Sequence, residues 1–178
     1  HASVEASYHQ TVYQLATRDA LTELPNRRHF IEALDREIAR ATRHGKSLAM
    51  CLVDVDRFKP INDRFGHIAG DGVLRQLAGI LCRFVRAGDV AARIGGEEFA
   101  VLLPETDLAA AQAFAERLRE AVASDTFTLG GESHRLTISL GIAGLSAGRE
   151  DRSPLMQAAD AALYRAKDEG RNRVCVAP

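Results

Sequence analysis

The sequence carries no global charge of either sign: 23 lysines and arginines stand against 24 acids, a formal net charge of −1. That balance excludes the broad field by which a protein holds a nucleic acid polymer or an anionic membrane surface, so any charged partner has to be met by a local site. Cysteine is scarce and odd in number. Cys51, Cys82 and Cys175 lack metal-ligand spacing and lie within apolar stretches, which excludes a disulfide scaffold and predicts three small core residues in a reducing compartment. Long apolar runs are missing too: none approaches the roughly 18 to 20 residues that span a bilayer, and the N-terminus has no signal-peptide pattern. What is present suffices for one core. A chain of 178 residues, 46% of them hydrophobic, fits one compact domain plus a tail and is too short for two comfortable domains. A first residue of His rather than Met is the start expected of a fragment of something longer.

Val4, Tyr8, Val12 and Leu15 recur at spacings of four, four and three, one stripe of a helix. Residues 1–17 are read as a linker helix. Its stripe suits either packing back on the domain or a short coiled coil continuing from an upstream module. Asn26 is placed to cap a second helix carrying Phe30, Leu34 and Ile38, which His44-Gly45 closes. "SLAMCLVDVD" is apolar almost throughout, a strand buried on both faces. A helix bearing Val73, Leu77, Ile80, Leu81 and Phe84 then runs to about Gly88, followed by strands at Val90 to Ile94 and Phe99 to Leu103. Thr106-Asp107 opens the next helix, and Leu136, Ile138, Leu140 and Ile142 alternate after Gly130-Gly131 as a hairpin. Ser153-Pro154 caps a last helix that stops at Gly170 before the short strand "RVCV". Hairpins alternating with helices predict an α/β (α+β) domain over residues 18–178, with a mostly antiparallel sheet covered by helices.

Two acidic elements carry the chemistry. Asp54 and Asp56 end the buried strand with one residue between them; they are expected to leave on opposite faces, so that only one enters a given site. Glu97-Glu98 sits at the turn of the neighbouring hairpin. Carboxylates from separated segments plus a backbone carbonyl make an oxygen-rich site of the kind magnesium takes. Gly95-Gly96 is expected to supply the positive φ of a two-residue turn and to bare the backbone to a bulky ligand. A plain turn leaves the adjacent glutamates unexplained, since they repel unless a cation is near.

"RIGGEEF", with "DVDRFKPINDRFGHIAGD" and "DALTELPNRR" before it, resembles the GGDEF family of diguanylate cyclases, from about Asp19 to the C-terminus and in the family's motif order. The resemblance implies a central, mostly antiparallel five-stranded sheet flanked by helices, related to nucleotide cyclases and polymerase palms. It implies the joining of two GTP molecules into cyclic di-GMP with release of two pyrophosphates. It makes Asp54, the Val55 carbonyl and Glu97 the ligands of Mg2+ (or Mn2+), with Glu97 also the proton acceptor from the ribose 3′-hydroxyl and Glu98 in support. Asn62 and Asp71 would read the guanine edge, a carboxylate being able to accept from both N1–H and N2–H. His67 lies between them in the nucleotide-contacting segment. Lys59 with the amides of Arg57 and Phe58 would hold phosphates, as would Lys167 and Arg171, while Gly95 and Gly96 border the nucleotide.

"RAGD", Arg86 to Asp89, stands five residues before GGEEF, where the family carries a product-inhibition site; Arg86 and Asp89 are the implied contacts to cyclic di-GMP. The departures are few. Glu23 replaces a glycine that most relatives carry, and GGEEF replaces GGDEF with a carboxylate kept at Glu97. One domain supplies half an active site, so the resemblance implies a homodimer, no nucleic acid polymer as partner, and an upstream sensor. The expected location is the cytoplasm, with an inner-membrane sensor one form the longer protein could take. Two other readings compete: a regulatory module that binds GTP or cyclic di-GMP without turnover, and a mononucleotide cyclase. Intact acids and Lys59 oppose the first; the GGEEF element and adjoining RxxD oppose the second.

Overall fold

A computed structural model describes residues 2–147 and 149–178. The central sheet has strand order β2-β3-β1-β6-β7, built from β1 (Leu48–Val55), β2 (Val90–Arg93), β3 (Glu98–Pro104), β6 (Ile138–Gly144) and β7 (Val174–Val176). All its pairings are antiparallel except β6 with β7. Helices α1 (Ala2–Thr17), α2 (Arg27–His44), α3 (Phe58–Phe65), α4 (His67–Phe84), α5 (Leu108–Ser124) and α6 (Arg152–Asp168) complete the chain, with a separate hairpin of β4 (Phe127–Leu129) and β5 (Glu132–His134). This is the five-stranded α/β architecture expected.

The reason β1 is apolar without alternation is visible in its two faces. Ala49, Cys51, Val53 and Val55 join a core with α4 and α5 residues such as Leu77 and Leu118. Leu48, Met50 and Leu52 join a second core with Phe30 and Leu34 of α2 and Leu155 and Leu163 of α6. Each residue is inside whichever way it points, so the strand reads as a continuous apolar run. The helix ends follow local chemistry: the Asn26 side chain accepts from His29 N at 3.1 Å, Asp107 from Ala110 N at 2.8 Å, and Gly45 closes α2 at φ 61°.

Four expectations are revised, and of the two alternatives left open for the α1 stripe one is not seen. The short helix α3 was not foreseen. The chain after Gly130-Gly131 forms only the small β4–β5 hairpin, while the alternating run at Ile138 leaves to join the main sheet between β1 and β7. The N-cap of α6 is Asp151, which places Ser153 and Pro154 within the first turn. Cys82 is exposed, unlike Cys51 and Cys175: its apolar sequence neighbours lie on other sides of α4, because a helix turns 100° per residue. Burial pushes the Cys51 thiol up to about 12, an inert core group. The α1 stripe does not pack back on the domain; Val4, Tyr8 and Leu15 are 72%, 67% and 78% exposed. Among the described residues no helix is long and apolar enough to cross a membrane.

Candidate active site

The β2–β3 turn and the end of β1 are brought together by sheet register. Asp54 stands opposite Glu98 on one side and Ser139 on the other, and Val55 N donates to Glu97 O at 3.3 Å. The turn is wider than two residues: Ile94 N and Gly95 N both donate to Glu98 O, at 2.9 and 3.3 Å. Neither Gly95 nor Gly96 has positive φ, contrary to expectation. A Cβ at Gly95 would lie 2.9 Å from Glu98 Oε2, the movable end of that side chain, whereas a Cβ at Gly96 would meet open space. The Glu98 carboxylate thus folds over the turn while Gly96 leaves the backbone bare.

The electrostatics are those of crowded acids. Burial pushes the Asp54 carboxyl above its ordinary range; the Lys167 ammonium, 2.8 Å from Oδ2, and Arg171 oppose this, and the Asp56 charge adds to it. Glu97 is also pushed up, by burial first and then by the charges of Asp54 and Glu98, with Lys167 opposing. Such acids suit a divalent cation, which relieves burial and repulsion together. Two carboxylates and a carbonyl at the end of β1 are the oxygen atoms near the turn; among the described residues no cluster of three or more His, Cys, Asp or Glu side chains could hold a metal ion.

Asp54 and Asp56 leave β1 on the same face, not on opposite ones, as the two-residue period of a strand requires. Asp54 pairs with Lys167 of α6, and Asp56 takes hydrogen bonds from Ser139 Oγ and Thr137 Oγ1, each 2.6 Å, and from Asn172 N at 3.0 Å. Only one is open to a ligand all the same, because both Asp56 oxygens accept hydrogen bonds whereas Asp54 takes one, from Lys167 on Oδ2.

Beyond β1, Arg57 adopts φ 55° and starts α3 without a side-chain cap, so the Arg57 and Phe58 amides sit at a helix N-terminus next to the acids. Lys59 projects to solvent and pairs with Asp63 at 3.1 Å. Asn62 Oδ1 is buried without a hydrogen-bond partner and is crowded by α4, where a Cβ on Gly70 would come within 1.8 Å of it. Asp71, half-buried, is the next residue of α4, and His67 is exposed in its first turn. Lys167 ends α6, and Arg171 follows at φ 64°, its guanidinium making no hydrogen bond among the described residues.

The RAGD segment lies at the other end of β2, about 13 Å from the turn at the usual rise per strand residue. Arg86 Nη2 touches Asp89 Oδ1 at 3.3 Å, Pro104 O at 3.0 Å and Thr106 Oγ1 at 3.0 Å, and the Asp89 carboxylate also accepts from Arg86 N at 2.8 Å. The Arg86 side chain is 63% exposed and that of Asp89 only 2%. Asp89 is turned inward to hold the loop, so the exposed group of the pair is the arginine, beside a cavity of about 360 Å³ lined by Phe84, Thr106, Phe114 and Arg117.

Sequence reasoning missed Arg93. Its guanidinium donates to Gly95 O at 3.1 Å and to Gly96 O at 2.8 Å, and pairs with Asp19 at 3.2 Å. Burial pushes the Asp19 carboxyl up, but hydrogen bonds from Thr22 and the nearby Arg93 outweigh it and leave it below the usual range. The segment joining α1 to the domain is therefore tied to the turn. A charged residue closing a strand that otherwise reads Val-Ala-Ala was the available signal. Glu23, at the departure from glycine, has φ 62°, which is the conformation that makes glycine the easier residue there.

The family model described as "Diguanylate cyclase, GGDEF domain" matches residues 16–173. Diguanylate cyclase DgcP of Pseudomonas aeruginosa is 48% identical over 164 residues, covering 92% of this chain and 24% of that protein. Response regulator PleD of Caulobacter vibrioides is 44% identical over 163 residues, covering 90% and 36%. The chain therefore spans about a quarter to a third of the length of these relatives. The coiled coil and GGDEF domain of DgcB from Caulobacter crescentus, solved in complex with c-di-GMP, superposes with TM-score 0.92 at 35% identity over 99% of this chain and 94% of that one. The active GGEEF domain of a diguanylate cyclase from Vibrio cholerae gives 0.81 at 34% identity, over 86% and 97%.

Proposed function

Because the chain belongs to the GGDEF family, we propose that it is an active diguanylate cyclase domain, the output module of a longer protein, converting two GTP into cyclic di-GMP and two pyrophosphates. The observation that carries this reading is the contact of Val55 N with Glu97 O at 3.3 Å, which sets two acids with raised pKa side by side at a bare turn. Asp54, the Val55 carbonyl and Glu97 would hold Mg2+ or Mn2+, which when bound neutralises phosphate charge and acts as Lewis acid. Glu97 takes the proton of the 3′-hydroxyl, whose oxygen bonds to the α-phosphorus of the other GTP as the bond to pyrophosphate breaks; the mirrored step closes the ring. Glu98 supports Glu97 through its charge.

The amides of Arg57 and Phe58 and the cations Lys59, Lys167 and Arg171 hold the phosphates and offset charge on the leaving pyrophosphate. Asn62 Oδ1, buried without a partner, supports guanine reading together with Asp71, because an unmet acceptor at that depth gains from a ligand N–H. His67 and the glycines of the turn border the nucleotide. Chemistry needs two domains face to face, each 3′-hydroxyl in line with the other's phosphorus, and the exposed α1 stripe supports a seam between two copies. Arg86, held by Asp89, supports inhibition by cyclic di-GMP away from the turn. Incubation with GTP and magnesium, followed by nucleotide separation, should give cyclic di-GMP and pyrophosphate. Bound GTP without product would refute turnover and leave the binding-module reading.

A further inference from the structure

Asp56 has no part in the chemistry above, yet its buried carboxylate accepts hydrogen bonds at both oxygens. Its Oδ1 accepts from Ser139 Oγ at 2.6 Å, and its Oδ2 from Thr137 Oγ1 at 2.6 Å and from Asn172 N at 3.0 Å. Its own N–H donates to Thr137 O at 3.0 Å. A buried carboxylate without such partners is costly, so this one is held rigidly. Two strained corners meet at it. On its own strand the next residue is Arg57, at φ 55°. Across the sheet, Gly170, Arg171 and Asn172 run consecutively at φ 122°, 64° and 45°, a left-handed stretch that glycine and asparagine enter readily and arginine does not. Such a run persists only where its surroundings over-determine it. Here the fixing contacts are Asp56 on the Asn172 N–H, Arg119 Nη1 on Asn172 Oδ1 at 3.0 Å, and Arg171 N on Ala166 O at 2.9 Å.

The Arg171 guanidinium is by contrast free of hydrogen bonds among the described residues, and its charge is felt at Asp54. We infer that Asp56 is a positioning residue for the triphosphate: by gripping the Asn172 N–H it locks the left-handed corner that aims Arg171 at the Asp54 site, and it anchors the Arg57 corner whose amides face the same phosphates. It touches neither substrate nor metal. The inference rests on the reading of Arg171 as a phosphate contact.

The test is binding rather than turnover. Affinities for a GTP analogue with a methylene between the α- and β-phosphorus, and for GMP, are measured with magnesium for the wild type, Asp56→Asn, Arg171→Ala and the double variant. Asp56→Asn should weaken the triphosphate about tenfold, the low end for losing a hydrogen bond to a charged group, and leave GMP within about twofold. The double variant should be no weaker than Arg171→Ala, since both changes remove one function. Equal losses for both ligands, or additive losses in the double variant, overturn the positioning role while leaving Arg171 in place. An unaltered triphosphate affinity in Arg171→Ala overturns the phosphate reading and the inference with it. Should Asp56→Asn not fold, Thr137→Val removes one donor and keeps the carboxylate. It should weaken the triphosphate by about threefold with GMP unaffected, a fraction of one such hydrogen bond, and an equal loss for GMP counts against the inference.

Discussion

Glu97→Gln separates the chemistry of the turn from its architecture. The turn is held by Ile94 N and Gly95 N on Glu98 O, by Val55 N on Glu97 O, and by the Arg93 guanidinium on Gly95 O and Gly96 O; the Glu97 side chain makes no hydrogen bond among the described residues. An isosteric amide therefore leaves the scaffold unchanged. What is lost is an anionic metal ligand and the base. An aimed electrostatic contact is worth roughly 3–4 kcal/mol and general-base catalysis a further 10²–10⁴-fold, so the rate should fall at least about a thousandfold. Stability should move the other way. Because the folded-state pKa of Glu97 is raised by burial, Asp54 and Glu98, the folded chain binds that proton more tightly than the unfolded one, and stability falls as pH rises through the window between the ordinary value and the raised one. Above that window the wild type carries the full penalty and Gln removes it. The variant should melt slightly higher at pH 8, by no more than a few degrees given ~2–4 °C per kcal/mol in a domain of this size, and the difference should close as pH falls below the ordinary carboxylate value. Initial rates with saturating GTP and magnesium, together with melting curves at the two pH values, test both halves. A rate within tenfold of wild type, or a melting point clearly lowered at pH 8, would refute the reasoning.

Arg93→Lys keeps the charge but cannot span two turn carbonyls and Asp19 at once; activity should drop at least tenfold while affinity for the GTP analogue changes little, and an unchanged rate means the turn holds its shape without the clamp. Gly70→Ala drives a methyl into Asn62, so discrimination of GTP from ATP should shrink by about tenfold or more; intact selectivity in a folded variant removes Asn62 from base reading. Charged residues at Tyr8 and Val12 should depress specific activity most at low protein concentration, as for an assembly-limited enzyme, whereas a uniform loss at every concentration points to folding damage. Arg86→Ala should raise the cyclic di-GMP level at which progress curves stall and leave initial rates near wild type; competitive inhibition that survives the change places the product at the active site instead.

Where local forces decide, the residues alone were enough. The unbroken apolar run at β1 could only be a strand with both faces buried, and Asn26, Asp107 and Gly45 end their helices through hydrogen bonds and a φ reached within a few residues. The order of motifs likewise carried the family. Elements and contacts that depend on register were not legible. The β6 strand reads the same whether it pairs in a local hairpin or inserts beside β1. Cys82 has apolar neighbours in the chain yet faces out, and Gly95 lies beneath the Glu98 carboxylate without taking a positive φ. The clamp of Arg93 on Asp19 joins residues 74 apart, and Asp56 meets Asn172 across 116. A polar side chain shows in sequence what it can bond, but its partner is chosen by which strand ends the sheet stacks together, and that is set by packing the two cores.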